Sequence, residues 1–167
     1  MILQKICLLG ATAVGKTSLV RRFVQGIFSD RYLTTVGVRI DKREVEIEGE
    51  RIQLVVWDLS GEDEFAQLQM RYLRGSAGWI LVADGTRPET LDKALELHQR
   101  AVDALGDRPA ALLLNKADLV DQWRFSDERI AKLQSAERPV LRSSAKTGAS
   151  VEEAFASVAA AARSRLR

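Results

Sequence analysis

Cysteine and histidine are nearly absent from this chain, which carries one of each, Cys7 and His98. A lone cysteine excludes an internal disulfide framework. Its place inside the apolar run Ile6-Cys7-Leu8-Leu9 marks it as a buried core thiol rather than a reactive one. That usage fits a reducing, cytoplasmic setting. Nothing near His98 has metal-ligand spacing, so it reads as a packing residue. An excess of either charge is absent too: twenty-five Lys and Arg against twenty-three Asp and Glu leave +2, too balanced for a nucleic-acid partner. There is no N-terminal signal pattern and no apolar run long enough to span a bilayer. Repeats, low-complexity tracts and linkers are also missing. The 167 residues therefore make one domain, 1–167, long enough to bury roughly 70% of its unfolded surface in a single core.

What is present is a series of apolar runs without alternation: Ile2 to Leu9, Trp79 to Ala83, Ala110 to Leu114 and Val140-Leu141, separated by helical patterns. Strands of a parallel sheet covered on both faces have this appearance. From Val36 to Trp57 the pattern changes. Val38, Ile40, Val45, Ile47, Ile52, Leu54 and Val56 alternate with charged residues around Glu48-Gly49-Glu50, which predicts a hairpin with one wet face. The sheet is thus mostly parallel with one antiparallel strand at an edge. Thr86-Arg87-Pro88-Glu89 and Ser150-Val151-Glu152-Glu153 both carry the capping-box pattern for a helix start. Between them, Leu91, Ala94, Leu95, His98, Val102 and Leu105 recur at helical spacing up to Gly106, and Ser126 caps a shorter helix through Gln134.

Chemistry enters with Gly10-Ala11-Thr12-Ala13-Val14-Gly15-Lys16-Thr17, set between a strand pattern and the helical Ser18-Leu19-Val20. Glycines at both ends let the backbone curl so that successive N–H groups and a helix N-terminus face polyphosphate oxygens. Lys16 adds a point charge for the terminal phosphates, and the Thr17 hydroxyl is a ligand for Mg²⁺. Farther on, Asn115-Lys116-Ala117-Asp118 follows the strand Ala111 to Leu114. An ionised Asp118 accepts two hydrogen bonds side by side, which suits the N1–H and N2–H₂ edge of guanine and repels the N1 acceptor of adenine. Alone this pattern is weak. It gains force from its order, after a phosphate loop and before Ser144-Ala145-Lys146.

With these motifs the chain resembles the Ras-like small GTPases, and within them the Rab branch, over nearly its whole length. Tyr32 to Gly37 around Thr35, Asp58 to Gly61, and Ser144 to Lys146 match the family's remaining nucleotide motifs. Trp57-Asp58-Leu59-Ser60-Gly61 and Tyr72-Leu73-Arg74-Gly75 are similar to Rab signatures. The resemblance implies an α/β P-loop NTPase fold, the G domain, with a six-stranded mostly parallel sheet and five helices, binding GTP and GDP with Mg²⁺. It implies that Thr17, Thr35 and Asp58 serve the metal and that Phe28 lies against the guanine ring. Lys116 would cover the base's other face, the Ala145 N–H would meet the guanine O6, and Gly61 would offer its N–H to the γ-phosphate. Lys16, Thr35, Gly61 and the residue at 62 are the set implied for hydrolysis. The segments around Thr35 and Gly61 would be ordered by the γ-phosphate and released after its loss, so effector, exchange-factor and GTPase-activating proteins are expected at residues 27–40 and 59–75.

Departures from the family pattern bear on rate and on partners. Glu62 stands where the family carries the glutamine that orients the attacking water. A carboxylate accepts from water but cannot donate to phosphate, so slow hydrolysis is expected, with a nearly inactive, nucleotide-dependent binding scaffold as the alternative. Thr12 and Ala13 replace the smaller glycines common in Ras. Ile40 replaces the phenylalanine of the effector-facing trio that Trp57 and Tyr72 complete. The chain ends Arg163-Ser164-Arg165-Leu166-Arg167 without a prenylation cysteine. No lipid anchor is therefore expected, and an unlipidated prokaryotic relative and a shortened chain both fit.

Overall fold

The computed structural model of the protein describes residues 1–24, 32–33, 38–59, 71–134 and 138–165. Its strands are β1 (Ile2–Gly10), β2 (Tyr32–Leu33), β3 (Arg39–Ile47), β4 (Glu50–Asp58), β5 (Ser76–Asp84), β6 (Ala110–Asn115) and β7 (Val140–Arg142). The helices among the described residues are α1 (Lys16–Val24), α2 (Glu89–Leu105), α3 (Asp127–Leu133) and α4 (Val151–Arg165), with a 3-10 turn at Val120–Gln122. Four α-helices thus have described bounds, and Arg71 and Tyr72 are helical as well, against the five helices expected.

One sheet takes the order β2-β3-β4-β1-β5-β6-β7. The four runs without alternation, β1, β5, β6 and the three-residue β7, are parallel to one another and to β4, and β6 throughout and β5 at all but one position are buried on both faces, as a parallel sheet under two helical layers requires. The alternating segment folds as the antiparallel hairpin β3–β4, in register from Arg39 opposite Asp58 to Ile47 opposite Glu50. Its two-residue loop puts Glu48 at φ 52° and Gly49 at φ 81°, the pair of positive angles whose twist matches the flanking strands. Six strands have three residues or more, and β2 adds two residues outside β3, pairing Tyr32 with Ile40 and Leu33 with Arg39. The antiparallel β3 is therefore covered at one end rather than being a bare edge.

The period of two along β1 divides the core between the two faces of the sheet. Ile6 and Leu8 pack with α1 and α4, whereas Cys7 and Leu9 pack with α2. On the first face α4 buries Val151, Ala154, Phe155, Val158 and Ala159, an i, i+3, i+4, i+7, i+8 stripe, and Phe155 stacks on Phe23 of α1 at 3.9 Å and 11°. On the second face the stripe of α2 is centred on Leu91, Ala94, Leu97 and Ala101, with Leu95, His98, Val102 and Leu105 half-buried along its flank. His98 accepts a hydrogen bond at Nδ1 from Trp79 Nε1 (2.9 Å). Cys7 is fully buried, and burial pushes its thiol up to about 11 against the opposing hydrogen bond to Ser76 and the charge of Lys5.

Two of the predicted helix caps form as expected and one does not. The Ser126 hydroxyl accepts from the Arg129 N–H (3.1 Å) at the start of α3, and Gly106 closes α2 at φ 83° with its N–H on the Val102 carbonyl. The Thr86–Glu89 capping box is absent. The cap position of α2 is Pro88, without a side-chain bond, and the Thr86 hydroxyl donates to Asp84 Oδ1 at 2.7 Å. The Thr86 N–H donates to the same oxygen (2.8 Å), so Thr86 is held in a turn around that carboxylate, two residues ahead of the helix's cap position.

Candidate functional site

Four of the strands end together. Asp58 is the last residue of β4, Gly10 of β1, Asp84 of β5 and Asn115 of β6, with Leu8 opposite Asp58 and Asp84 opposite Asn115 in register. The carboxyl ends of strands, where helices leave to opposite faces, form the crevice in which open α/β sheets bind ligands. A cavity of ≈ 530 Å³ lies there, bounded by Gly15 and Ser18 on one side and by Asn115, Lys116, Asp118, Leu119, Ala145 and Lys146 on the other.

The phosphate loop leaves β1 at Gly10 and enters α1 at Lys16. Ala13 and Gly15 both take positive φ, 64° and 104°. For alanine that conformation is strained, and it persists because surrounding groups fix it. Asn115 Nδ2 donates to the Val14 carbonyl (2.9 Å), while Asn115 Oδ1 accepts from the Ser143 hydroxyl (3.1 Å). Lys116 Nζ donates to the Ala13 carbonyl (3.1 Å) and lies 2.9 Å from Asp84 Oδ2. Lys116 is itself at φ 69°, a second strained residue in the crevice.

Lys16 is 7% exposed, and its Nζ donates to the Gly10 carbonyl at 2.6 Å. Burial pushes it down to about 8, with the charge of Asp58 opposing. Asp58 is buried as well, and its carboxyl is pushed up by that burial, against the Thr17 hydrogen bond and the charges of Lys16 and Arg39 and with a further push from Asp41. Thr17 Oγ1 donates to Asp58 Oδ2 at 2.5 Å. A hydroxyl and a carboxylate are hard oxygen donors. Two such groups beside a phosphate site fit Mg²⁺, which is held by one or two protein oxygens with phosphate and water completing six. No group of three or more His, Cys, Asp or Glu able to hold a metal occurs among the described residues.

At the Asp118 end of the cavity, Ser144 Oγ donates to Asp118 Oδ1 (2.7 Å) and accepts from the Thr147 N–H (3.1 Å), which fixes the carboxylate. The Ala117 N–H donates to the Ser143 carbonyl (2.9 Å), so the two loops are laced along their backbones as well.

The structure thus brings together Ala13, Val14, Gly15, Lys16, Thr17, Ser18, Asp58, Asn115, Lys116, Asp118, Ser144, Ala145 and Lys146. Phe28, Thr35, Gly61 and Glu62 lie outside the described residues. Sequence reading missed Ser143, Asp84 and Arg87. Asp84 was findable, because it ends an apolar run just as Asn115 does. Away from the crevice, Trp57 and Tyr72 stand 5.8 Å apart, Ile40 pairs with Trp57 across the hairpin, and Lys5 Nζ lies 3.8 Å from the Trp57 ring.

A mostly parallel sheet with a strand, glycine-bounded loop and helix at its centre, and the Asn115–Asp118 loop two strands away after β6, defines a P-loop nucleotide-binding domain. The family model described as "Ras family" matches residues 5–164. Among curated relatives, "Ras-related protein Rab-13" of Rattus norvegicus is 36% identical over 163 residues, covering 94% of this chain and 78% of its own. "Ras-related protein Rab-8B" of Homo sapiens is 35% identical, covering 94% and 77%, and "GTP-binding protein YPTM1" of Zea mays is 35% identical, covering 95% and 77%. The chain belongs to the Ras family of small GTPases, on its Rab branch.

Proposed function

We propose that this chain binds GTP and GDP with Mg²⁺ in the strand-end crevice and hydrolyses GTP to GDP and phosphate, acting as a nucleotide-dependent switch. The observation that carries the reading is the pairing of Asp118 with Ser144 at one end of a cavity whose other end is the start of α1 at Gly15 and Ser18. Base edge and phosphates then meet complementary groups at once. Asp118 accepts from the guanine edge, and Lys116 covers the ring with its methylene stem. Ala145 supplies a backbone donor beside Lys146, and the loop N–H groups with Lys16 take the phosphates. Thr17, Asp58 and Thr35 would hold Mg²⁺, which neutralises charge on the phosphate oxygens. Phe28 would lie against the guanine ring.

In the reaction a water oxygen forms a bond to the γ-phosphorus while the bond to the β-phosphate oxygen breaks, and GDP leaves. Lys16 compensates the charge that moves onto the leaving oxygen, and the Gly61 N–H holds the γ-phosphate. Glu62 accepts from the water but cannot donate to the phosphate, so the intrinsic rate is low. Thr35 and Gly61 couple the γ-phosphate to the segments 27–40 and 59–75, through which effector, exchange and activating proteins read the state. The half-buried Ile40 and Tyr72 belong to those segments, and Trp57 pairs with Ile40 and stands 5.8 Å from Tyr72. Glu62 also supports a second reading, a nearly inactive protein that binds partners only when loaded with GTP.

Nucleotide released from the purified protein and identified by chromatography tests the site: GDP or GTP supports it, and adenine nucleotide alone overturns it. Single-turnover hydrolysis separates the switch from the locked scaffold.

A further inference from the structure

Three successive carbonyls of the phosphate loop each accept a hydrogen bond from a different side chain. Thr12 O accepts from Arg87 Nη2 (3.1 Å), Ala13 O from Lys116 Nζ (3.1 Å) and Val14 O from Asn115 Nδ2 (2.9 Å). In a planar trans peptide the N–H of the next residue points opposite to the carbonyl. Holding these three oxygens outward therefore turns the N–H groups of Ala13, Val14 and Gly15 to the other side of the loop. Two of the three donors, Asn115 and Lys116, come from the end of β6 and the first residue after it. The third, Arg87, comes from the turn after β5.

We propose that Arg87 is a positioning residue for the phosphates: it fixes the Thr12–Ala13 peptide so that the Ala13 N–H faces the polyphosphate. This rests on the nucleotide-site reading above. Arg87 is itself firmly held. Its Nε lies 3.0 Å from Asp84 Oδ2, the oxygen that Lys116 Nζ also approaches, so one buried carboxylate joins the two cations that reach Thr12 and Ala13. Asp84 Oδ1 accepts from the N–H (2.8 Å) and hydroxyl (2.7 Å) of Thr86. The backbone at Arg87 is tied on both sides, its N–H to the Asp84 carbonyl (3.0 Å) and its carbonyl to the Thr90 hydroxyl (2.7 Å). Such a fixed donor keeps Ala13 at φ 64°; without it the Thr12–Ala13 peptide is free to turn and relieve the strain. Arg87 is 39% exposed, so its replacement leaves the core untouched.

The test compares nucleotides that differ in phosphate number. Arg87→Ala should release GDP about tenfold faster than wild type, the size of one charge-assisted hydrogen bond. Its affinity for GMP, which lacks the β-phosphate, should change less than about twofold. Arg87→Lys keeps the charge but replaces the planar fork, whose Nε and Nη2 reach Asp84 and Thr12 from two nitrogens, by a single ammonium nitrogen, so it should recover part of the difference. Thermal midpoints of both variants show whether the fold is intact. GDP release unchanged in Arg87→Ala overturns the proposal, and so does equal weakening of GDP and GMP, which would mark a general loosening of the site. A wild-type protein that retains no guanine nucleotide overturns the site reading itself, a result distinct from either.

Discussion

Gly15 and Asn115 occupy each other's only available space: a Cβ on Gly15 would overlap Asn115 Nδ2, the atom that donates to the Val14 carbonyl at 2.9 Å. Gly15 also stands at φ 104°. Gly15→Ala therefore combines about 1–2 kcal/mol of backbone strain with loss of a buried hydrogen bond worth about 1 kcal/mol. GDP affinity should fall about a hundredfold. Gly49, at φ 81° with nothing near its missing Cβ, is the control. Gly49→Ala should cost about 1 kcal/mol of stability and leave nucleotide binding unchanged, checked by denaturation and fluorescent-GDP titration side by side. Equal binding by the two variants would disprove the contact.

Asp118→Asn should weaken GTP about a hundredfold, because two side-by-side hydrogen bonds to the carboxylate are replaced by one acceptor and one donor. The amide should instead favour xanthine nucleotides, whose base edge carries an acceptor. Ser144→Ala, which removes only the hydroxyl that fixes Asp118 Oδ1, should weaken GTP about fivefold and keep the preference for guanine. Competition of both variants against XTP and ATP measures this, and a wild-type preference for ATP would refute it.

Much of this site was legible because its residues sit in short motifs at the ends of apolar runs. Gly10 to Thr17 and Asn115 to Asp118 each follow a strand whose uninterrupted apolar pattern survives into the structure. Arg87 was not, since no local pattern announces it: it meets Thr12 across 75 residues of sequence, and the part Asp84 plays was hidden too, since that strand-end carboxylate meets Lys116 only because β5 and β6 are parallel neighbours in register. Thr86 was misread for a related reason. The spacing to Glu89 fits a cap, but Asp84, the carboxylate that holds the Thr86 N–H and hydroxyl in a turn, lies upstream of the pattern. The stripe on α2 was displaced because Ala94 and Ala101 permit closer approach to the sheet than the larger Leu95 and Val102 beside them.

Stability should fall as pH drops below about 6.5 through His98. Burial lowers its pKa from the ordinary 6.5, Arg138 lowers it further, and Asp107 opposes both. The folded state thus favours neutral imidazole, consistent with Nδ1 accepting from Trp79 Nε1. A depressed value in the folded state means that the unfolded chain binds the proton first, so the contribution is complete above about 6.5 and is lost as pH falls through the folded value. The lost bond is worth about 1 kcal/mol, or about 2–4 °C in the thermal midpoint of a domain this size. His98→Gln retains an acceptor for Trp79 and cannot titrate. Its midpoint should stay flatter over this range, and parallel curves for the two proteins would eliminate His98 as the source.

Glu62→Gln should hydrolyse GTP about tenfold faster than the wild-type chain in a single turnover. The side chain at this position has to meet both the attacking water and the γ-phosphate. An amide accepts from one and donates to the other, whereas an ionised carboxylate only accepts. A carboxylate about 4 Å from a phosphate charge meets repulsion on the order of 4 kcal/mol at an effective dielectric of 20, before Mg²⁺ and Lys16 offset part of it. A carboxylate that acted as a base toward the water would reverse the expectation. Little proton abstraction is needed in a loose phosphoryl-transfer transition state, however, so orientation of the water dominates. With nucleotide exchange excluded and GTP preloaded, the rate of phosphate release isolates this step from binding. An equal or slower rate in Glu62→Gln would make Glu62 a competent water-positioning group in its own right, and the low intrinsic rate proposed for this chain would lose its cause.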